Sequence, residues 1–171
     1  MVKYFGHTDL IIHPVFPPYD KPKSITGKTI YELAENINST AEKLSHIGTT
    51  LFIENNSKMD AVNYAVEDLD IVFKANPKVE LLLDLAHIDS YEHLQNIIAV
   101  KYPKMLHISD KHFSVEHEHL PIGMGDLDFE LIFSKYLSDF NGSIILELPE
   151  EDSTVIDSMA KIQKAIWKSL L

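Results

Sequence analysis

The feature that most restricts the fold is a repeated unit. A short run of Ile, Leu and Val carries a His, Asp or Glu at or near its end, and a longer amphipathic stretch follows. The runs occupy residues 9–13 (DLIIH), 50–54 (TLFIE), 79–85 (VELLLDL), 104–109 (KMLHIS) and 143–148 (SIILEL). Near-continuous hydrophobicity over so few residues predicts parallel strands buried on both faces. Between the runs, apolar residues recur at helical spacing. Ile30, Leu33, Ile37, Ala41 and Leu44 form one stripe, closed by Gly48. Val62, Ala65, Leu69 and Val72 form a second, ended by Pro77. Leu94, Ile97 and Ile98 carry a third, opened by an Asp89…Glu92 capping-box pattern and stopped by Pro103. Phe129, Ile132, Phe133 and Tyr136 follow Asp128 and stop at Asn141-Gly142; Val155, Met159, Ile162 and Ile166 make the last stripe. Strand then helix, five times over, predicts an α/β fold with a parallel sheet. No shift in composition marks a second domain, so residues 1–171 read as one.

The ionisable residues add what hydrophobic periodicity does not require. The first run ends in His13 and the second in Glu54; the third holds Asp84 with His87 just beyond it. The fourth holds His107, followed by Asp110, and the fifth holds Glu147. In parallel α/β folds the carboxyl ends of the strands face the ligand crevice or the catalytic face. A polar side chain in an Ile/Leu strand is costly unless it is paired or liganded. Taken singly, each has a structural explanation: His13 as a hydrogen-bonded strand terminus, Asp84 as a cap on the next helix. Taken together they read as a shared metal site, because His and carboxylate are the ligand set of Zn²⁺, Mn²⁺, Co²⁺ or Mg²⁺. The stretch 107–128 adds His112, His117 and His119. His117 and His119, two apart, share a side if extended and would reach a second metal; the alternative is a solvated loop.

Charge narrows the partners. The chain carries 15 basic and 26 acidic residues for a net charge of −11, and every basic residue is lysine. Without arginine forks or a basic excess, the composition argues against a nucleic-acid partner. No cysteine is present, which excludes disulfides, thiolate metal sites and thiol nucleophiles. No apolar run reaches the length of a membrane span, and the first residues do not open a signal peptide, so a soluble, cytoplasmic protein is expected. Two short motifs mislead. Gly27-Lys28-Thr29 would need a glycine where Pro22 stands to make a phosphate loop, and reads as a helix start. Gly123-Met124-Gly125 has Asp128 where a dinucleotide fingerprint has its third glycine. The proline-rich stretch 14–27 reads as a lid or a long connection.

In their order, IIHP at 11–14, FIEN at 52–55, LLDLAH at 82–87, LHISD at 106–110, HLPIGMGDLDF at 119–129 and IILELPE at 144–150 resemble the xylose isomerase-like TIM barrels. That superfamily joins sugar isomerases and epimerases to endonuclease IV. The resemblance implies a partial TIM-type barrel of about five parallel strand–helix units, with the family's first three units not represented. In the sugar branch it implies that Glu54, Asp84, His107 and Glu147 hold one divalent metal. Glu54 and Glu147 would also be the catalytic acid and base, with His87 contacting substrate. His13 and Lys111 are further candidates for substrate contact. The implied activity is isomerisation or epimerisation of a small sugar-like substrate through an enediolate. In the endonuclease IV branch His13, His87 and His119 join a cluster of metals, and His117 stands where that branch usually has an aspartate. Phosphodiester hydrolysis at abasic DNA is thus the second reading, and a non-catalytic binding or assembly subunit the third. Uncovered sheet edges would favour a homo-oligomer.

Overall fold

A computed structural model describes residues 9–14, 27–60, 62–148 and 152–169. Its strands are β1 (Asp9–Ile12), β2 (Thr50–Glu54), β3 (Glu80–Asp84), β4 (Met105–Ile108) and β5 (Ser143–Leu146). All neighbouring pairs are parallel, and the sheet order β1-β2-β3-β4-β5 follows the chain. The intervening helices are α1 (Gly27–Ser45), α2 (Val66–Ala75), α3 (Tyr91–Val100), α4 (Phe129–Leu131) and, after β5, α5 (Asp152–Ser169). A 3₁₀ turn, Leu85–His87, follows β3, and a π turn, Ile132–Tyr136, continues α4. The five strands curl into a half-barrel with helices between them, as the sequence predicts.

Alternation along the strands divides the side chains between two faces. Leu51, Ile53, Leu81, Leu83, Leu106 and Ile108 point one way and join the main core. The helices meet them there with Ala34, Ile37 and Ala41 from α1, Leu69, Val72 and Phe73 from α2, and Leu94 and Ile97 from α3. These recur at helical spacing, so each helix buries one stripe. Phe52, Leu82 and Met105 point the other way and form a small cluster of their own. Each stands two residues before Glu54, Asp84 and His107, so those polar groups share its face. The small cluster is an apolar floor, and the polar residues form the layer above it.

Several local details depart from the sequence reading. The strands run shorter, so His13 and Glu147 fall one residue beyond β1 and β5. Those two edge strands alternate exposed and half-buried rather than being buried on both faces, since among the described residues each has only one neighbour. The second helix starts at Val66, leaving Val62 and Ala65 outside it. Asn63 has φ 61°, a left-handed conformation that an α-helix cannot contain. The cap of α3 is Ser90, whose Oγ accepts from the His93 N–H at 3.0 Å; Asp89 turns instead to the Tyr64 hydroxyl. Gly27-Lys28-Thr29 does begin a helix. Most of the stretch 14–27, with Lys21 and Lys23, lies outside the described residues. Among the described residues no helix is long and apolar enough to cross a membrane.

Candidate metal centre

The strand-end residues meet. His107 Nδ1 lies 3.1 Å from Glu54 Oε1 and 3.0 Å from Glu147 Oε2. One ligand atom each from Glu54, Asp84, His107 and Glu147 falls within 4.8 Å of the other three. Parallel register explains this: Glu54 and Asp84 close β2 and β3, Asp84 is level with His107, and the β5 end follows. Asp84 serves as the cap that the sequence allowed and also stands within the cluster. Its Oδ1 caps the 3₁₀ turn by accepting from the Ala86 N–H at 2.7 Å. Its Oδ2 is buried without a hydrogen-bond partner and sits 3.4 Å from His87 Nε2, which is equally buried and unpartnered.

His87 is fixed in one tautomer. Its Nδ1 meets the Asn55 carbonyl oxygen at 2.8 Å, and a carbonyl only accepts, so Nδ1 carries the proton and Nε2 keeps its lone pair. Asn55 itself is fully buried and grips β3 in both directions: its Oδ1 accepts from the Asp84 N–H at 2.7 Å, and its Nδ2 donates to the Asp84 carbonyl at 3.1 Å. Sequence reasoning gave this residue no role. Its position next to Glu54 was the available signal.

Two further groups adjoin the first. His13, Glu54 and His87 bring ligand atoms within 4.8 Å of one another, as do His87, His117 and His119. The rings of the second group lie 5.0–5.6 Å apart, centroid to centroid. His119 Nδ1 is held at 2.8 Å by Ser109 Oγ. His112 stands apart, paired with Glu118 at 3.0 Å.

The loop bearing His112, His117 and His119 is anchored by Asp110, which is fully buried. Its Oδ1 accepts from the N–H groups of Lys111 (2.8 Å) and Leu127 (3.1 Å), and its Oδ2 from those of Gly123 (2.8 Å) and Gly125 (2.9 Å). A Cβ on Gly125 would sit 2.3 Å from the Lys111 carbonyl oxygen, so only glycine fits. Lys111 is buried, and burial lowers the pKa of its ammonium against the pull of Asp89, Glu118 and Asp84.

Electrostatics fit the residues to a cation. Burial and the nearby charge of Glu54 raise the Asp84 pKa well above the usual carboxylate range. Burial also disfavours charge on His107, yet its hydrogen bonds with Glu147 and Glu54 push it up to about 10. The same contact with His107 holds Glu147 down at about 2. Burial lowers His87 to about 4 and lowers His119 as well, leaving His87 neutral at pH 7. Three carboxylates crowd one imidazole, and two buried polar atoms lack partners. A divalent cation would relieve the crowding and give the unpartnered Asp84 Oδ2 a partner. The donor set fits a divalent metal.

Comparison with known proteins agrees with this fold. The sequence pattern of the xylose isomerase-like TIM barrel matches residues 1–166. A Mycoplasma mobile protein named "Probable endonuclease 4" is 27% identical over 186 residues, covering 94% of this chain and 63% of that protein. A D-tagatose 3-epimerase-like protein superposes with TM-score 0.72 at 16% identity, over 99% of this chain and 67% of the other. A xylose isomerase-like TIM barrel protein from Mycobacterium smegmatis, solved with magnesium, gives TM-score 0.70 at 15% identity, over 99% and 64%. The chain belongs to the xylose isomerase-like TIM barrel family, and it spans about two thirds of the length of these relatives.

Proposed function

We propose that this chain is a divalent-metal-dependent isomerase or epimerase acting on a small sugar-like substrate. The observation that carries the reading is the pair of carboxylates, Glu54 and Glu147, facing each other across His107 Nδ1 above an apolar floor. Glu54, Asp84, His107 and Glu147 would hold the metal. When bound, it would supply Lewis acidity that makes the carbon beside a carbonyl more acidic. The side-chain carboxylates do the proton work. One takes the proton from that carbon and the other returns one to the neighbouring carbon or the opposite face, so the substrate is rearranged without net loss. Glu147, with its side chain 50% exposed, is open to a substrate; Glu54, at 6%, is screened from bulk water. His87 and His13 would contact substrate hydroxyls, and Lys111 would place positive charge near the pocket. The family relation to sugar epimerases supports the substrate class, and the magnesium-bound relative supports the metal. We also infer a single-domain, self-associating protein, since β1 and β5 each have one neighbour among the described residues.

A second reading is metal-dependent phosphodiester hydrolysis. The His87–His117–His119 group and the endonuclease-named relative favour it; a net charge of −11 without arginine opposes it. The test is solvent-deuterium exchange at carbon in a panel of ketoses and polyols with Mn²⁺, Mg²⁺, Co²⁺ or Zn²⁺ supplied. Exchange should appear and should be lost in Glu147→Gln with substrate binding largely kept. Metal-dependent nicking of abasic duplex DNA, lost in His119→Ala, would reverse the ranking. Neither activity in fully metal-loaded protein would leave the non-catalytic subunit.

A further inference from the structure

We propose that the exposed flank of α5 is a homodimer interface, in which the helix packs antiparallel against α5 of a second copy about a two-fold axis at Gln163. The proposal rests on the self-association inferred above and names its surface and its symmetry.

α5 carries two stripes of opposite chemistry. Asp157, Lys161, Lys164 and Lys168 run along one side; Lys161 pairs with Asp157 at 2.8 Å, and Lys168 pairs with Glu130. Ile156, Met159, Gln163 and Trp167 run along another, at spacings of three, four and four residues that line side chains up on a helix. Ile156 is 67% exposed, Met159 49% and Trp167 73%, so this stripe leaves large apolar side chains in water. It borders a groove of about 420 Å³ between α5 and β5, lined by Ile144, Leu146, Val155, Met159, Gln163 and Ile166. No residue of the stripe or of this lining is charged.

A second copy is the occupant that this chemistry fits. Each chain carries a net charge of −11, so two copies approach at least cost through a face without charge. The face is also self-complementary, as an isologous contact requires. When two antiparallel helices cross at Gln163, the residue four after it in one lies level with the residue four before it in the other. Trp167 of each copy then covers Met159 of its mate beside the groove, a favourable pairing of indole with thioether. Gln163 is the one polar side chain of the stripe, and it meets its own counterpart. An amide both donates and accepts, so the two satisfy each other. A wholly apolar partner would strand that amide.

The experiment is sedimentation of the full chain across a concentration series, followed in parallel by the fluorescence of Trp167, the only tryptophan. The wild type should pass from monomer to dimer, with tryptophan emission shifting to the blue in step. Gln163→Glu and Gln163→Lys should each weaken the dimer at least about tenfold, because each sets like charges across the axis. An equimolar mixture of the two variants should restore it as a heterodimer, which a folding defect would not allow. A wild-type dimer that persists in both variants with unshifted emission would overturn this surface and leave self-association standing. Loss of the dimer in both variants without rescue on mixing would overturn the axis at Gln163. A wild type that stays monomeric at every concentration would defeat the interface and the self-association together.

Discussion

Metal entry at the strand-end cluster should expel a proton, because the atom that becomes a ligand already holds one. His107 Nδ1 faces Glu54 Oε1 at 3.1 Å and Glu147 Oε2 at 3.0 Å, and these contacts keep the ring charged up to about pH 10. At pH 7 a metal ion therefore competes with a proton held about a thousandfold too tightly to leave unaided. At about 1.4 kcal/mol per decade this costs roughly 4 kcal/mol of intrinsic metal affinity. Apparent affinity for Mn²⁺ should rise about tenfold per pH unit between pH 7 and about 9, then level off as the ring loses its proton. Toward acid the dependence should steepen, because the Asp84 carboxyl is also raised and must ionise to bind. Titration calorimetry in buffers of different ionisation enthalpy should count about one proton released per Mn²⁺ at pH 8. Glu147→Gln removes one of the two carboxylates holding the proton, so the plateau should begin at lower pH. An affinity that stays flat from pH 7 to 9 in the wild type would refute the reasoning, since the imidazole would then be neutral or not a ligand.

The metal-free protein should lose stability in mild acid through His87. Burial holds His87 at about 4 against an ordinary 6.5, so the unfolded chain takes up a proton that the folded one refuses as pH falls through that window. His87's share of the loss reaches about 3 kcal/mol by pH 4, while the raised Asp84 and His107, which hold protons more tightly in the folded protein, work in the opposite direction. Denaturant melts at pH 7 and 5 should show it, and His87→Gln should flatten it. Asp110→Asn should cost about 3 kcal/mol in the same melts, because two charge-assisted pairs of backbone bonds weaken at once. Gly125→Ala should cost at least about 2 kcal/mol, since its Cβ would press on the Lys111 carbonyl. Light scattering should find self-association at micromolar concentration; a stable 19.5 kDa monomer would contradict it.

Much of this was legible in the sequence because two periodicities coincide. Leu81 and Leu83 on one face, Leu82 and Asp84 on the other, follow from the strand period alone. The polar strand ends then stand out as exceptions that a shared site would explain together. What stayed hidden depends on backbone N–H and carbonyl groups, which a side-chain pattern does not record. Asn55 matters because it bonds the backbone of Asp84, and Asp110 because it gathers four N–H groups from a loop. The early start expected for α2 failed for a similar reason: the apolar spacing of Val62 and Ala65 is helical, but Asn63 adopts a left-handed turn between them. The half-exposed edge strands were missed because runs such as DLII read alike at the edge and in the middle of a sheet.

The central claim is that residues at the ends of four successive strands, Glu54, Asp84, His107 and Glu147, are ligands of one divalent ion. Anomalous diffraction from crystals grown with Mn²⁺ tests it most directly. The account predicts a manganese peak within about 2.5 Å of an oxygen from each of Glu54, Asp84 and Glu147 and of His107 Nδ1. A well-occupied peak elsewhere, or none with the four side chains ordered and His107 still bridging Glu54 and Glu147, would contradict it.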